Sequence, residues 1–105
     1  MADQQQNSGE QKRVTRNADK SRYEIFLGDQ LAGFVEYEES GDRIDFVHTE
    51  IDDAFSGKGL GSALAKGALD DAVAGGRAIV ATCRFIAGYI DRHPEYARHL
   101  AGSDR

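Results

Sequence analysis

The sequence predicts a small α/β domain on a mixed sheet: three antiparallel strands, a helix entered through a glycine loop, one parallel strand and two short closing helices. Three observations predict it. Two Gly-containing turns, Gly28-Asp29-Gln30 and Ser40-Gly41-Asp42, separate runs of alternating apolar residues. From Leu60 the apolar spacing changes to Leu60, Ala63, Leu64, Ala68, Ala72 and Val73, a helical period. The short β-branched run Ala78-Ile79-Val80-Ala81-Thr82 follows that helix, so it returns to the sheet in parallel.

The chain has 105 residues, enough for one domain with a single core. A formal charge of −5 argues against a protein whose main task is gripping nucleic acid or an acidic membrane. One cysteine permits no internal disulfide and fits a reducing compartment. No apolar run approaches the ~18–20 residues of a membrane span, and the opening MADQQQNSGEQK has no apolar segment of a secretory signal. The expectation is a cytoplasmic protein, monomeric or weakly dimeric, with no nucleic-acid or membrane partner.

In order, residues 1–12 contain no Val, Ile, Leu or aromatic residue and read as a disordered tail. The domain is expected over 13–101, with 102–105 as a short C-terminal tail. Val14 begins or flanks the first strand. Arg22 to Leu27 is the clearer strand, with Tyr23, Ile25 and Leu27 on one face. Leu31 to Glu38 places Leu31, Gly33, Val35 and Tyr37 together. Arg43 to Ile51, the third strand, alternates Ile44, Phe46, His48 and Glu50 against Asp45, Val47, Thr49 and Ile51. Gly75-Gly76 ends the long helix. A second helix runs from about Phe85 to Arg92, and Pro94 opens a short last one carrying Tyr96 and Leu100.

The stretch Ser56-Gly57-Lys58-Gly59-Leu60-Gly61-Ser62 holds the strongest chemical signal. A helix start leaves backbone N–H groups without intrahelical partners, and the helix dipole adds positive charge. Glycine lets a phosphate approach without meeting a Cβ. The ATP-binding pattern fails because Gly59 follows Lys58. The dinucleotide pattern fails because Ser62 stands at its third glycine and the loop follows hairpins. Alone, the loop reads equally well as a structural turn.

Other residues bear chemistry. Cys83 stands between the parallel strand and a helix, where a thiol can act as a nucleophile or serve as a small buried hydrophobe. His48 and Glu50, two apart on a strand, share a face and are general-base candidates; His48 also reads as a satisfied, half-buried histidine. Tyr89 reads as a core aromatic with its hydroxyl at the rim. The three histidines and Cys83 show no zinc-ligand spacing, so no metal site is expected.

The order of these elements resembles the GNAT superfamily of acetyl-CoA-dependent N-acetyltransferases. The family loop Gln/Arg-x-x-Gly-x-Gly/Ala corresponds to Ser56, Gly59 and Gly61, with Ser56 departing from the Gln/Arg. From about Val14 to Leu100 the chain is similar to the smallest members. Phe46-Val47-His48-Thr49-Glu50-Ile51, the loop, Thr82-Cys83-Arg84-Phe85, Tyr89-Ile90 and Arg92-His93-Pro94-Glu95-Tyr96 carry that similarity. The resemblance implies acetyl transfer from acetyl-CoA to a small-molecule or protein amine, with a non-catalytic acyl-CoA-binding module as the alternative. It implies that Gly57, Lys58, Gly59, Leu60, Gly61 and Ser62 hold the pyrophosphate. It implies that Thr49, Glu50 and Ile51 flank the pantetheine arm where the third and parallel strands splay. Cys83 would lie near the thioester, as an acetyl acceptor or as part of the wall. Tyr89 would protonate the departing thiolate, and Glu50 or His48 would deprotonate the amine. Lys58 adds charge near phosphate or is simply solvated.

Overall fold

The computed structural model describes residues 11–102. The predicted N-terminal tail lies outside the described residues up to position 10, as does the C-terminal tail beyond Gly102. Five strands form one sheet in sequence order: β1 (Lys12–Asn17), β2 (Arg22–Leu27), β3 (Gln30–Ser40), β4 (Arg43–Ile51) and β5 (Ala78–Ala81). The first four are antiparallel neighbours and β5 joins β4 in parallel. Helix α1 (Leu60–Ala74) links β4 to β5, and α2 (Arg84–Arg92) follows β5. The predicted last helix is a 3-10 segment, Pro94–His99.

The α/β mixed-sheet expectation therefore holds, with one addition. The sequence around Val14 forms a complete strand, so the antiparallel part has four strands. Lys12, assigned to the tail, is the first residue of β1 and pairs with Leu27. Alternation was hard to read there because β1 is flanked by lysines and arginines on an edge. Val14 is its inward anchor: its side chain sits where a Cβ on Gly67 would lie, at 2.8–3.0 Å. Glycine at 67 thus lets α1 lie close to β1.

The helices pack on one sheet face. That face carries Tyr23, Ile25, Val35, Tyr37, Ile44 and Phe46, which meet Leu60, Leu64, Ala68, Leu69 and Ile86 in one buried cluster. The small residues of α1 permit a close approach to the sheet. On the other face Arg13 lies 4.7 Å from the Phe26 ring centre and Arg22 lies 4.4 Å from that of Phe34. Guanidinium groups over ring faces let an otherwise bare sheet surface meet water.

Two bulges shift the alternation. Ile25 pairs with Gly33 but Phe26 with Leu31, leaving Ala32 as an extra residue on β3. Ala32 is buried and Leu31 is exposed, so Leu31 leaves the inward set predicted for it. Glu36 pairs with His48 but Tyr37 with Phe46, so Val47 is the extra residue on β4. This second bulge decides the site.

Candidate functional site

Before Val47, β4 follows the expected phase, with Ile44 and Phe46 fully buried. After it the phase reverses. Thr49 and Ile51 turn toward the helices, while His48 and Glu50 are exposed. The expectation that His48 and Glu50 share the face of Ile44 and Phe46 is thus corrected. One extra residue flips every later side chain of a strand. The His48 side chain is 52% exposed and that of Glu50 is 61%. They remain a pair, with His48 Nε2 2.8 Å from Glu50 Oε2, on the uncovered sheet face.

The bulge also marks where β4 and β5 part. Their pairing ends at Phe46 opposite Ala81, and the Cys83 N–H donates to the Phe46 carbonyl at 2.8 Å. Beyond it β4 continues to Ile51 with no strand on that side among the described residues. On its other side, the Asp52 N–H donates to the Ala32 carbonyl at 2.8 Å. With Phe34 opposite Glu50 and Glu36 opposite His48, antiparallel alternation directs the peptide groups of His48 and Glu50 toward β3. Those of Thr49 and Ile51 then face the open edge. A row of such groups can bind the amides of an extended ligand.

Cys83 stands across this gap. It is buried at the start of α2, and its Sγ lies 3.2 Å from Thr49 Oγ1. Thr82 fixes the turn: its N–H and hydroxyl both donate to the Asp45 carboxylate, at 3.2 and 3.0 Å. The splayed strands therefore bring Thr49 and Cys83 together, and place His48 and Glu50 on the other side of the same strand.

The glycine loop lies beyond the end of β4. Asp52 caps a 3-10 turn, Asp53–Phe55, by accepting from the Ala54 N–H at 2.9 Å. Gly57 and Gly59 then take φ of +80° and +73°, where a Cβ would be strained. Around Gly57 a Cβ would meet nothing within 4 Å. Gly59 is the N-cap of α1, and no side chain caps the helix. The N–H groups of Leu60, Gly61 and Ser62 have no intrahelical partner by helix geometry. Lys58 is exposed within the loop. This arrangement fits a phosphate: open space, unclaimed helix-start donors and glycine where a side chain would intrude.

Two residues near the loop were not singled out from sequence. Lys12 Nζ lies 3.8 Å from the position a Cβ on Gly59 would take. Phe85 Cζ lies 2.8 Å from the corresponding position on Gly61, which explains why glycine stands there. Neither pairing is local, and only the register of β1 and the docking of α2 create them.

Tyr89 lies in α2, which begins just after Cys83. It is buried, stacks on His93 with ring centres 3.9 Å apart, and lies 6.1 Å from the Tyr96 ring. Burial raises its pKa, with Asp70 and Glu95 adding to the rise and Lys66 opposing it. Its ring contacts are with His93 and Tyr96.

The family model described as GCN5-related N-acetyl-transferase matches residues 22–100. The chain is 42% identical over 67 residues to protein NATD1 of Gallus gallus, covering 61% of each chain. It is 42% identical over 59 residues to NATD1 of Mus musculus, covering 55% of this chain and 54% of that protein. The match thus spans somewhat over half the length of these relatives. The NMR solution structure of a Staphylococcus aureus protein described as GCN5-like superposes with a TM-score of 0.64 at 20% identity, covering 86% of this chain and 88% of that one. At that identity the likeness supports the fold.

Proposed function

Because the chain belongs to the family of GCN5-related N-acetyltransferases, we propose that it transfers an acetyl group from acetyl-CoA to an amine. The observation that carries this reading is the parting of β4 and β5 after Phe46 and Ala81, between the glycine loop and Cys83. On this reading the gap between the strands would join the phosphate cradle to the thiol of Cys83 and the hydroxyl of Thr49. Backbone N–H groups from Gly57 to Ser62 would hold the pyrophosphate. The peptide groups of Thr49 and Ile51 would bond the pantetheine amides.

Acetyl-CoA supplies an activated thioester: its C–S bond breaks as the amine's C–N bond forms, and CoA leaves as a thiol. The protein's part is to position and to move protons. The helices cover one face of the sheet, so the amine would approach from the face that carries Glu50 and His48. Glu50, held by His48, would take the proton an ammonium must lose before nitrogen can attack. A backbone N–H at the free edge of β4 would donate to the carbonyl oxygen. Cys83, bonded to Thr49, lines the gap. Direct transfer needs only that, whereas an acyl-enzyme route needs its sulfur as nucleophile.

Calorimetry with CoA and acetyl-CoA tests the cofactor reading, and a panel of small amines, polyamines and peptides tests transfer. Wild-type protein is expected to bind both. Absence of binding at millimolar CoA would overturn the proposal. Cys83→Ala is expected to keep near-normal transfer; a loss of a hundredfold or more would establish the covalent route. A second reading is favoured by the exposure of His48 and Glu50. On that reading the domain holds acyl-CoA and acts with a partner that completes the acceptor side. Binding without acetylation of any amine would favour it.

A further inference from the structure

We infer that the CoA site is completed by two side chains from outside the glycine loop, Lys12 of β1 beside the phosphates and Phe85 of α2 beside the uncharged arm. This rests on the reading that CoA occupies the loop and the gap. Lys12 Nζ stands over Gly59, where φ of +73° exposes the helix-start donors. The chain as a whole carries −5, so a ligand with several phosphate charges meets net repulsion at long range. A lysine brought to the cradle by a strand, together with Lys58 in the loop, places two cations by the helix start.

Phe85 answers the other end of the same ligand. It is one of two large apolar side chains left exposed among the described residues, at 38%. Its ring touches α1 at Gly61, while its backbone lies two residues from Cys83. On the proposed reading, an arm running from the cradle toward the Thr49–Cys83 contact would pass beside that ring. An exposed aromatic on this path gives the arm an apolar wall, and covering it would remove water from both surfaces. The two residues therefore divide the recognition: Lys12 reads charge, and Phe85 reads the uncharged arm.

That division makes the test specific. CoA binding is measured by calorimetry at several salt concentrations for wild type, Lys12→Glu, Phe85→Ala and Phe85→Leu. Thermal unfolding of each variant confirms that the exposed substitutions leave the fold intact. Lys12→Glu is expected to weaken binding about tenfold at low salt, with a shallower salt dependence and most of the difference gone near 1 M salt. Phe85→Ala is expected to weaken binding about tenfold with the wild-type salt dependence, and Phe85→Leu to restore most of it. Wild-type affinity and salt dependence in Lys12→Glu, or wild-type affinity in Phe85→Ala, would overturn the inference while the CoA reading stands. Failure of the wild-type protein to bind CoA at all would overturn both.

Discussion

The two ends of α1 are built on opposite plans. Its N-terminus follows two left-handed glycines and has no side-chain cap. Its C-terminal half is tied down on both sides. Tyr23 in β2 donates its hydroxyl to Asp71 at 2.6 Å, and Tyr96 donates to Asp70, which Lys66 also meets at 2.8 Å. The Gly75 N–H then bonds the Asp71 carbonyl, and the Gly76 N–H the Val73 carbonyl, to close the helix. The difference teaches where binding and stability are separated. A helix start with glycine in place of a capping side chain gives up only about a few tenths of a kcal/mol of local stability. Bonds further along hold the helix against the sheet, so its bare donors keep a fixed position. One end is available to a ligand because the other is committed to the fold.

The sharpest way to break that comparison is Gly59→Glu. A side chain at φ +73° costs roughly 1–2 kcal/mol, and its carboxylate would occupy the anion position. CoA affinity is expected to fall a hundredfold or more by calorimetry, with the protein still folded. Retained binding would show that the bare end is only a turn. The converse variant, Tyr23→Phe, removes one bond from the committed end. Tyr23 is buried, but Asp71 is exposed and can turn to water. The expected cost is about 1 kcal/mol, or roughly 4–8 °C in thermal midpoint, with CoA binding unchanged. A loss of CoA affinity larger than about threefold would show that the two ends are not separable.

How much of this was legible depends on what kind of signal each feature leaves. The hairpins, the helix from Leu60 and the parallel strand announce themselves through turns and period, and they stand where the sequence put them. The glycine loop was legible because conformation there is dictated by residue type. Val47 as a bulge left no local mark: valine suits a regular strand, and the extra residue is specified only by β3 opposite it. That is why the faces of His48 and Glu50 were misassigned while their mutual adjacency survived. Thr49 and Cys83 are 34 positions apart, and their contact depends on where β4 and β5 diverge. Lys12 failed for a related reason, since an edge strand rich in charge resembles a tail until its partner is known.

Alkaline and acid unfolding sharpen the comparison further, with smaller effects. Burial first, and then the hydrogen bond to Asp71, raises the pKa of Tyr23; burial and the bond to Asp70 do the same for Tyr96. A phenol raised in the folded state contributes stability that is complete below the unfolded value near 10 and lost as pH climbs through the folded one. Urea midpoints should therefore hold steady to about pH 10 and then decline. The Tyr23→Phe, Tyr96→Phe double variant should start lower and decline less. An equally steep decline in that variant would place the alkaline sensitivity elsewhere.

Asp70 gives the smallest effect and the opposite sign. Burial pushes its pKa up, but the hydrogen bonds from Lys66 and Tyr96 outweigh it, and the net shift is downward. A carboxylate lowered in the folded state adds stability that is present above the unfolded value near 3.9 and is lost as pH falls through the folded one. Because Asp70 is half exposed, solvent screens much of this. Lys66→Ala should therefore leave stability at pH 7 little changed, yet reduce the loss of midpoint between about pH 5 and pH 2. CoA binding at neutral pH should be unaffected, since Lys66 lies beyond the first turn of α1. If Lys66→Ala weakened CoA binding as much as Lys12→Glu, the positive field over the cradle would come from the whole helix face. The bare end would then owe its ligand to the committed one.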